Sequence, residues 1–484
     1  MTQAVVLGGG FAGVLAATVL ARHVGEVTVV EGGRYPQGPE PRPGLPQAFH
    51  SHVLVTAGAE ALETLLPGTQ AALEARGAHR RGLTDGALIL SAGGWFRRQE
   101  TGAHLISCSR WLMDHVIRER ALSGGTVTVR ERTRVLGLAG DASRVTGVLL
   151  AREDGSTETL RADLVVDATG RRSRAPRWLA ALGGPAVEEE VVDPGLAYST
   201  RIYRAPAALA ARIPAVMVHP DPHPGNGRSG HGATLFPVED GRWTVTLTGT
   251  RAAAPPVDGQ GFTDCIRALR SPVVAELLAE AEPLGSVRPF RATANRRRYF
   301  ERGPRPEGFL ALGDALVAVN PVHSHGMSVA LLGAVRIDRE LARTGAVPAA
   351  FPALQAALAE VAEPSWRMAT EQDREAAAED GAEDGAGDTS GDAARAAGQL
   401  VRALMSRAVL GNPALMTDLF RTQTLLPRRS GRSGSHPPPH PAPSAGSGPP
   451  LDTDEAVAQF PVLAQWWFSG RRSRSPALEE TRGH

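Results

Sequence analysis

Between Leu312 and Ala334 the chain reads LGDALVAVNPVHSHGMSVALLGA, with an acid directly after an apolar run, two histidines two residues apart, and a glycine heading an apolar helix. Residues of these types could ligate a metal, carry a nucleophile on a turn, or wall a cofactor pocket. His323 and His325 do not complete a metal site by themselves, and beyond Asp314 no nearby carboxylate is free to help them. The stretch AVVLGGGFAGVLAA, from Ala4, points to a cofactor. Gly8 permits a tight turn, Gly10 lets the backbone approach a pyrophosphate, and Gly13 allows close helix packing. The amino terminus of the helix that follows, with Phe11 and Ala12 in the turn leading into it as further cofactor-binding candidates, then offers unpaired N–H groups and a positive dipole end to that anion. Glu31, at the end of EVTVVE and about 20 residues further on, stands where a carboxylate accepts ribose hydroxyls.

Positioning such groups takes a strand, a turn and a helix in that order, and Ala4–Leu7, the glycines and Val14–Ala21 supply them, followed by a second strand ending at Glu31. This unit binds a dinucleotide without distinguishing NAD from FAD. Two later stretches repeat the strand-to-turn pattern. RADLVVDATGRRSR (Arg161–Arg174) is an apolar strand ending in a small-residue turn, and Gly308–Leu312 with Met327–Ala334 forms a further strand and helix.

Composition removes several chemistries. The chain has 484 residues, 52 basic and 51 acidic side chains, and a net charge of +1, so no strong field draws in nucleic acid or a membrane. All the basic residues are arginine, which rules out a lysine Schiff base and a Gly-Lys-Ser/Thr phosphate loop. Cys108 and Cys265 stand alone, without CxxC or Cys/His spacing, so neither a disulfide framework nor structural zinc is expected, and a reducing cytoplasm fits. The apolar run Ala4–Ala21 is interrupted by glycines and has no basic residue before it, unlike a signal or membrane segment.

The three elements GxGxxG, a strand ending in Ala-Thr-Gly, and a late Gly-Asp followed by Pro and a Gly-opened helix resemble those of FAD-dependent monooxygenases of the hydroxybenzoate-hydroxylase type. The resemblance implies an α/β fold: a Rossmann-like FAD-binding domain with an inserted antiparallel-sheet substrate domain and a helical C-terminal region. It further implies that Asp314 hydrogen-bonds the ribityl chain, and that the N–H groups of Gly326 and Met327 face the pyrimidine edge of a noncovalently bound flavin. His325 becomes a wall residue beside the ring. Arg42 lies near the cofactor, in a segment that also carries His50 and His52, which are discounted as metal ligands like the later pair. Arg110 resembles a family arginine at the head of a helix lying against the FAD pyrophosphate.

From Ala4 to about Gly345, the order of AVVLGGGFAG, VTVVE, PQAFHSH, ADLVVDATGRRSR, LAALG, ANRRRY and GDALVAVNPVHSHGMS is similar to that of polyether-ionophore epoxidases of the monensin and lasalocid type. This implies epoxidation of alkenes in an apolar polyene, polyketide or terpenoid, by O2 through a flavin C4a-hydroperoxide, with no side chain assigned as acid or base. An aromatic hydroxylase or an alkene reductase of the same fold is the alternative, and a non-catalytic flavin-binding interaction protein is a remote one. Flavin halogenases of the fold use a lysine that is absent here. Self-sufficient hydroxylases carry DGxxSxxR, whereas Thr169-Gly170 precedes RRSR here. The electron source is therefore left open between NADPH or NADH at this protein and a separate flavin reductase.

The expected organisation is an FAD-binding domain over 1–80, 105–185 and 301–345, and a substrate domain over 81–104 and 186–300. GLAYSTRIYRAP, GATLFPVEDGRWTVTLTGT and ANRRRYF alternate as antiparallel strands, with Glu239-Asp240-Gly241 as a hairpin turn. Tyr203, Phe236 and Trp243 are candidates for the substrate pocket, with plain sheet core as the other reading. A helical region over 346–427 contains an acidic flexible loop at 375–393, a Pro/Ser/Gly-rich linker spans 428–453, and a tail runs over 454–484. Trp466, Trp467 and Phe468 with Arg471 and Arg472 would either rest on a membrane surface or dock back on the protein, and the shortness of the segment favours docking.

Overall fold

The computed structural model describes residues 2–220, 230–250, 253–345, 347–380, 407–427 and 450–474. Of the acidic loop expected at 375–393, residues 375–380 are not loop but the last turns of the helix Val347–Asp380, and the rest of it, with nearly all of the Pro-rich linker, lies outside these residues. A five-stranded parallel sheet runs in the order Phe309–Ala311, Leu164–Asp167, Gln3–Leu7, Glu26–Val30, Val127–Arg130. Its central strands are continuous Val/Leu runs because both faces are covered, as parallel sheets require. The helix Phe11–Leu20 packs on it and against the helix Gly326–Thr344, and this interior forms the main core together with Leu54, Leu62, Met113 and Ile337.

A seven-stranded sheet stands beside it, in the order Glu282–Phe290, Ala197–Arg204, Arg242–Gly249, Gly232–Val238, Ala215–Val218, Ala87–Ser91, Gly94–Trp95. Its hairpin turns at Asp240 and Gly241, both with positive φ, the Asp-Gly turn whose twist matches the flanking strands. One face carries Leu235, Val245 and Leu247, covered by the helices Gly259–Arg267 and Val273–Ala279 and by the tail helices Thr453–Ala458 and Pro461–Arg474. The tail thus docks on the protein: Trp467 is 3% exposed, its Nε1 donates to Asp454 Oδ1 at 2.8 Å, and Trp466 Nε1 donates to Glu280 Oε2 at 3.0 Å.

One strand departs from expectation. Asn295–Arg298, within ANRRRYF, does not join this sheet but pairs antiparallel with Glu189–Val192 and with Val317–Ala318 in a separate three-stranded sheet. Its alternation is not apolar and polar. Arg297 and Arg298 are buried because Glu301, Glu363 and Glu189 pair with them, so a charge pattern decides the partner strand. Beyond Thr344 the long helix Val347–Asp380 lays Leu354, Leu358 and Trp366 into the main core, and the helix Pro413–Gln423 caps a smaller cluster with Met416 and Phe420. Among the described residues no helix is long and apolar enough to cross a membrane.

Candidate cofactor site

The glycine turn is as tightly constrained as its spacing suggests. Gly8 has φ +93°, and a Cβ there would stand 2.8 Å from Ala168 O, against the turn after the strand Leu164–Asp167. A Cβ on Gly13 would stand 1.8 Å from Gly8 O, so only glycine lets the helix close on the strand. Gly10 is the N-cap of Phe11–Leu20, without a side-chain cap, and nothing lies within 4 Å of where its Cβ would be. The N–H groups of Phe11, Ala12 and Gly13 at this helix end have no intrahelical acceptor, an arrangement that suits a phosphate.

Glu31 is engaged rather than open. Its Oε2 accepts from Gly9 N at 2.8 Å and pairs with Arg42 Nη2 at 2.9 Å, and its Oε1 accepts from Gly33 N at 2.8 Å. Arg42 also donates to Gly9 O at 3.0 Å, as does the Tyr35 hydroxyl at 2.9 Å. Tyr35 is sandwiched between cations, its ring 5.0 Å from the Arg42 guanidinium and 4.7 Å from that of Arg118. Burial, then the Glu31 charge, pushes its hydroxyl up to about 12. Gly9, Gly10, Phe11, Val14, Arg42, Asp114, Ile117 and Arg118 line one pocket there. Tyr35 and Arg118 carry no motif, and no spacing in the sequence marks them.

Arg110 opens the helix Arg110–Leu122, whose N-cap Ser109 accepts from Leu112 N at 3.2 Å. Its Nε donates to Asp114 Oδ1 at 2.8 Å, and its guanidinium lies 5.3 Å from the centre of the Phe11 ring, joining this helix to the glycine turn. Asp314 follows the strand Phe309–Ala311 on a short 3-10 turn whose Gly313 abuts Ala12. Burial raises its carboxyl above the usual value, while Arg171, Arg110 and Arg298 pull it back. Its carboxylate makes no hydrogen bond among the described residues, and Oδ1 lies 3.4 Å from the position of a Gly326 Cβ. Three segments far apart in sequence thus converge: the glycine turn, the head of the Arg110 helix, and the Asp314 turn against the helix opened by Gly326 and Met327.

Each of the four histidines has a hydrogen-bond partner within the protein. Nε2 of His325 donates to Gln423 O at 2.9 Å, and its Nδ1 accepts from Ser365 Oγ at 3.2 Å. Burial pushes its pKa down to about 4, so the ring is neutral and pins three helical segments together. His323 Nε2 faces Asp373 Oδ1 at 3.1 Å. His50 Nδ1 meets Thr200 Oγ1 at 2.7 Å, and His52 Nδ1 donates to His50 O at 2.9 Å. Burial, with Arg110 second, pushes the His52 pKa to about 3.

Alternation along the seven-stranded sheet divides the pocket candidates. Tyr203 and Trp243 are register partners on the helix-covered face, and Trp243 Nε1 is spent on Ala210 O at 2.8 Å. They are sheet core rather than pocket, since neighbours in register must share a face. Phe236 points to the opposite face, with Thr200 and Thr246, and packs beneath Phe96 and Phe420. Sequence reasoning missed an aromatic wall on this second face. Tyr198 stacks on Phe290 at 6.2 Å, His50 lies 5.1 Å from Phe290, and the Tyr198 hydroxyl reaches Asn320 Oδ1 beside the Gly326 helix.

The site fits a flavin dinucleotide. Asp314, an acceptor without a hydrogen bond among the described residues, suits the ribityl hydroxyls, and the uncapped helix end with nearby arginines suits the pyrophosphate. Among known proteins, the chain is 32% identical over 385 residues to Protein Rv3254 of Mycobacterium tuberculosis, covering 76% of this chain and 79% of that protein. Its fold is similar to those of flavin-dependent brominase Bmp2 (TM-score 0.63, 16% identity, 87% of this chain and 94% of that one) and of the Diels-Alderase PyrE3 (TM-score 0.58, 18% identity, 88% and 81%). It is also similar to that of PqsL, a probable FAD-dependent monooxygenase from Pseudomonas aeruginosa (TM-score 0.57, 18% identity, 78% and 96%). The FAD binding domain family matches residues 1–368, the span that contains all three converging segments, and the chain belongs to that family.

Proposed function

We propose that this protein is a flavin-dependent monooxygenase that adds one oxygen atom to an alkene of an apolar polyene, polyketide or terpenoid. The observation that carries the flavin part is the convergence of the Gly8–Gly13 turn, Arg110 and Asp314 on one site. Alkene oxidation is supported by the order of motifs shared with polyether epoxidases and by the aromatic wall of Tyr198 and Phe290 next to the Asn320 turn. Bound FAD supplies electron storage and oxygen activation. The tasks left to the chain are to hold the cofactor through Asp314 and the glycine turn, to present the positive end of the Gly326 helix to a ring that gains charge on reduction, and to keep water from it.

Incubation with FAD, NADPH, an added flavin reductase, 18O2 and a panel of polyenes, followed by mass analysis, tests the reading. One labelled oxygen in an alkene is expected. Label on an aromatic ring would make the protein a hydroxylase, and a gain of two hydrogens without label would make it a reductase. Omitting the added reductase shows whether the protein takes electrons from NADPH itself.

A further inference from the structure

The turn before the Gly326 helix is built around a buried carboxylate. Asp373, on the helix Val347–Asp380, is 3% exposed. Its Oδ2 accepts from Asn295 Nδ2 at 2.6 Å and from Asn320 Nδ2 at 3.1 Å, and its Oδ1 faces His323 Nε2 at 3.1 Å. Asn320 Oδ1 in turn accepts from the Tyr198 hydroxyl and from Val322 N at 3.2 Å, while Asn295 Oδ1 accepts from Asn320 N at 2.7 Å. Burial raises the Asp373 carboxyl, but His323 and the two amides outweigh it and hold it below the usual value. A carboxylate can only accept, so His323 Nε2 carries a hydrogen in either charge state. Nδ1 is then the atom that gains and loses a proton, and it makes no hydrogen bond among the described residues.

The titratable neighbours of His323 keep fixed charge states near neutrality. Burial pushes the Tyr198 hydroxyl, on the seven-stranded sheet, well above its ordinary value, and pushes His325, whose ring lies 6.2 Å from that of His323, down to about 4. Across the turn, Arg171 Nη2 donates to Val319 O at 2.9 Å and its charge acts on Asp314. An imidazole fixed at one nitrogen and open at the other, with a charged orienting partner, is the arrangement of a proton-exchanging group.

We propose that His323, oriented by Asp373, takes up a proton when FAD bound beside this turn is reduced. The inference rests on the FAD reading above. Two electrons from a reduced nicotinamide or a reduced free flavin, with one proton, leave the bound ring an anion. The second proton comes from solvent to His323 Nδ1, and no substrate bond forms or breaks. A new negative charge next to the turn favours the imidazolium, so the reduced protein binds this proton at a higher pH than the oxidised one. Asp373 acts through His323 and is a positioning residue.

Redox titration of the FAD-loaded protein with equilibrating dyes, from about pH 5 to about pH 9, counts the protons. Two protons per two electrons are expected between the two ionisations of the histidine, falling to one in His323→Gln, which still donates to Asp373 but does not titrate. His323→Asn serves as a second comparison should the first variant fold poorly. Asp373→Asn should shift the transition to lower pH, because the charge favouring imidazolium is gone. The absorbance of reduced flavin shows whether the ring itself holds the extra proton. Equal counts in wild type and His323→Gln, or an extra proton on the ring, would overturn the proposal. A protein that binds no FAD would overturn the cofactor reading instead.

Discussion

Asp314 and Glu31 are both carboxylates at strand ends, yet their surroundings give them different tasks. Glu31 is saturated by Gly9, Gly33 and Arg42, so it braces the glycine turn, whereas the Asp314 carboxylate has no hydrogen-bond donor among the described residues. Replacing Asp314 with Ala should weaken FAD binding about 10- to 100-fold, the value of one or two hydrogen bonds to a charged acceptor, with little change in melting temperature. Fluorescence titration of the apo-protein measures it, and unchanged affinity would remove Asp314 from the ribityl contact. Asp314 was legible because a strand, a glycine and an acid stand together in the sequence. Tyr35, Arg118 and Asp373 were not, since each meets its partners only through tertiary contacts, and an isolated Tyr, Arg or Asp in a helix or loop leaves no spacing to read.

Elements were legible where a backbone requirement singles out a residue type. Gly13 is one such place, and Gly13→Ala should cost more than the ~1–3 kcal/mol of ordinary overpacking, because the Cβ would meet backbone at 1.8 Å that cannot rotate away. Thermal melts should show a clear loss of stability together with loss of FAD, and a wild-type melt would contradict the packing described. The Asp240-Gly241 hairpin was legible for the same reason. The face a residue occupies was not, since Tyr203, Phe236 and Trp243 are all large and apolar and only the register separates them. The tail shows the same limit: two tryptophans near a terminus suit either a membrane or a protein surface. Trp467→Ala should cost ~3–5 kcal/mol, and a change below ~1 kcal/mol in denaturant unfolding would contradict the docked tail.

At the scale of the whole molecule, buried histidines make stability depend on pH. Burial pushes His50, His104, His219 and His325 down to about 4, and His52 to about 3, from an ordinary 6.5. Each is neutral when folded and binds a proton when unfolded below pH 6.5, so stability held above that pH is lost as pH falls towards 4. The melting temperature should drop between about pH 7 and about pH 5, and His325→Gln should flatten that slope; a slope equal to wild type would mean the His325 ring is not held neutral. Calorimetric titration of the apo-protein with FAD tests most directly whether the three separated stretches build one FAD site. One FAD per chain, with the bound spectrum of an oxidised flavin and markedly weaker binding in Asp314→Ala, is the expected result. No saturable uptake, or uptake indifferent to both Asp314→Ala and Gly13→Ala, would contradict it.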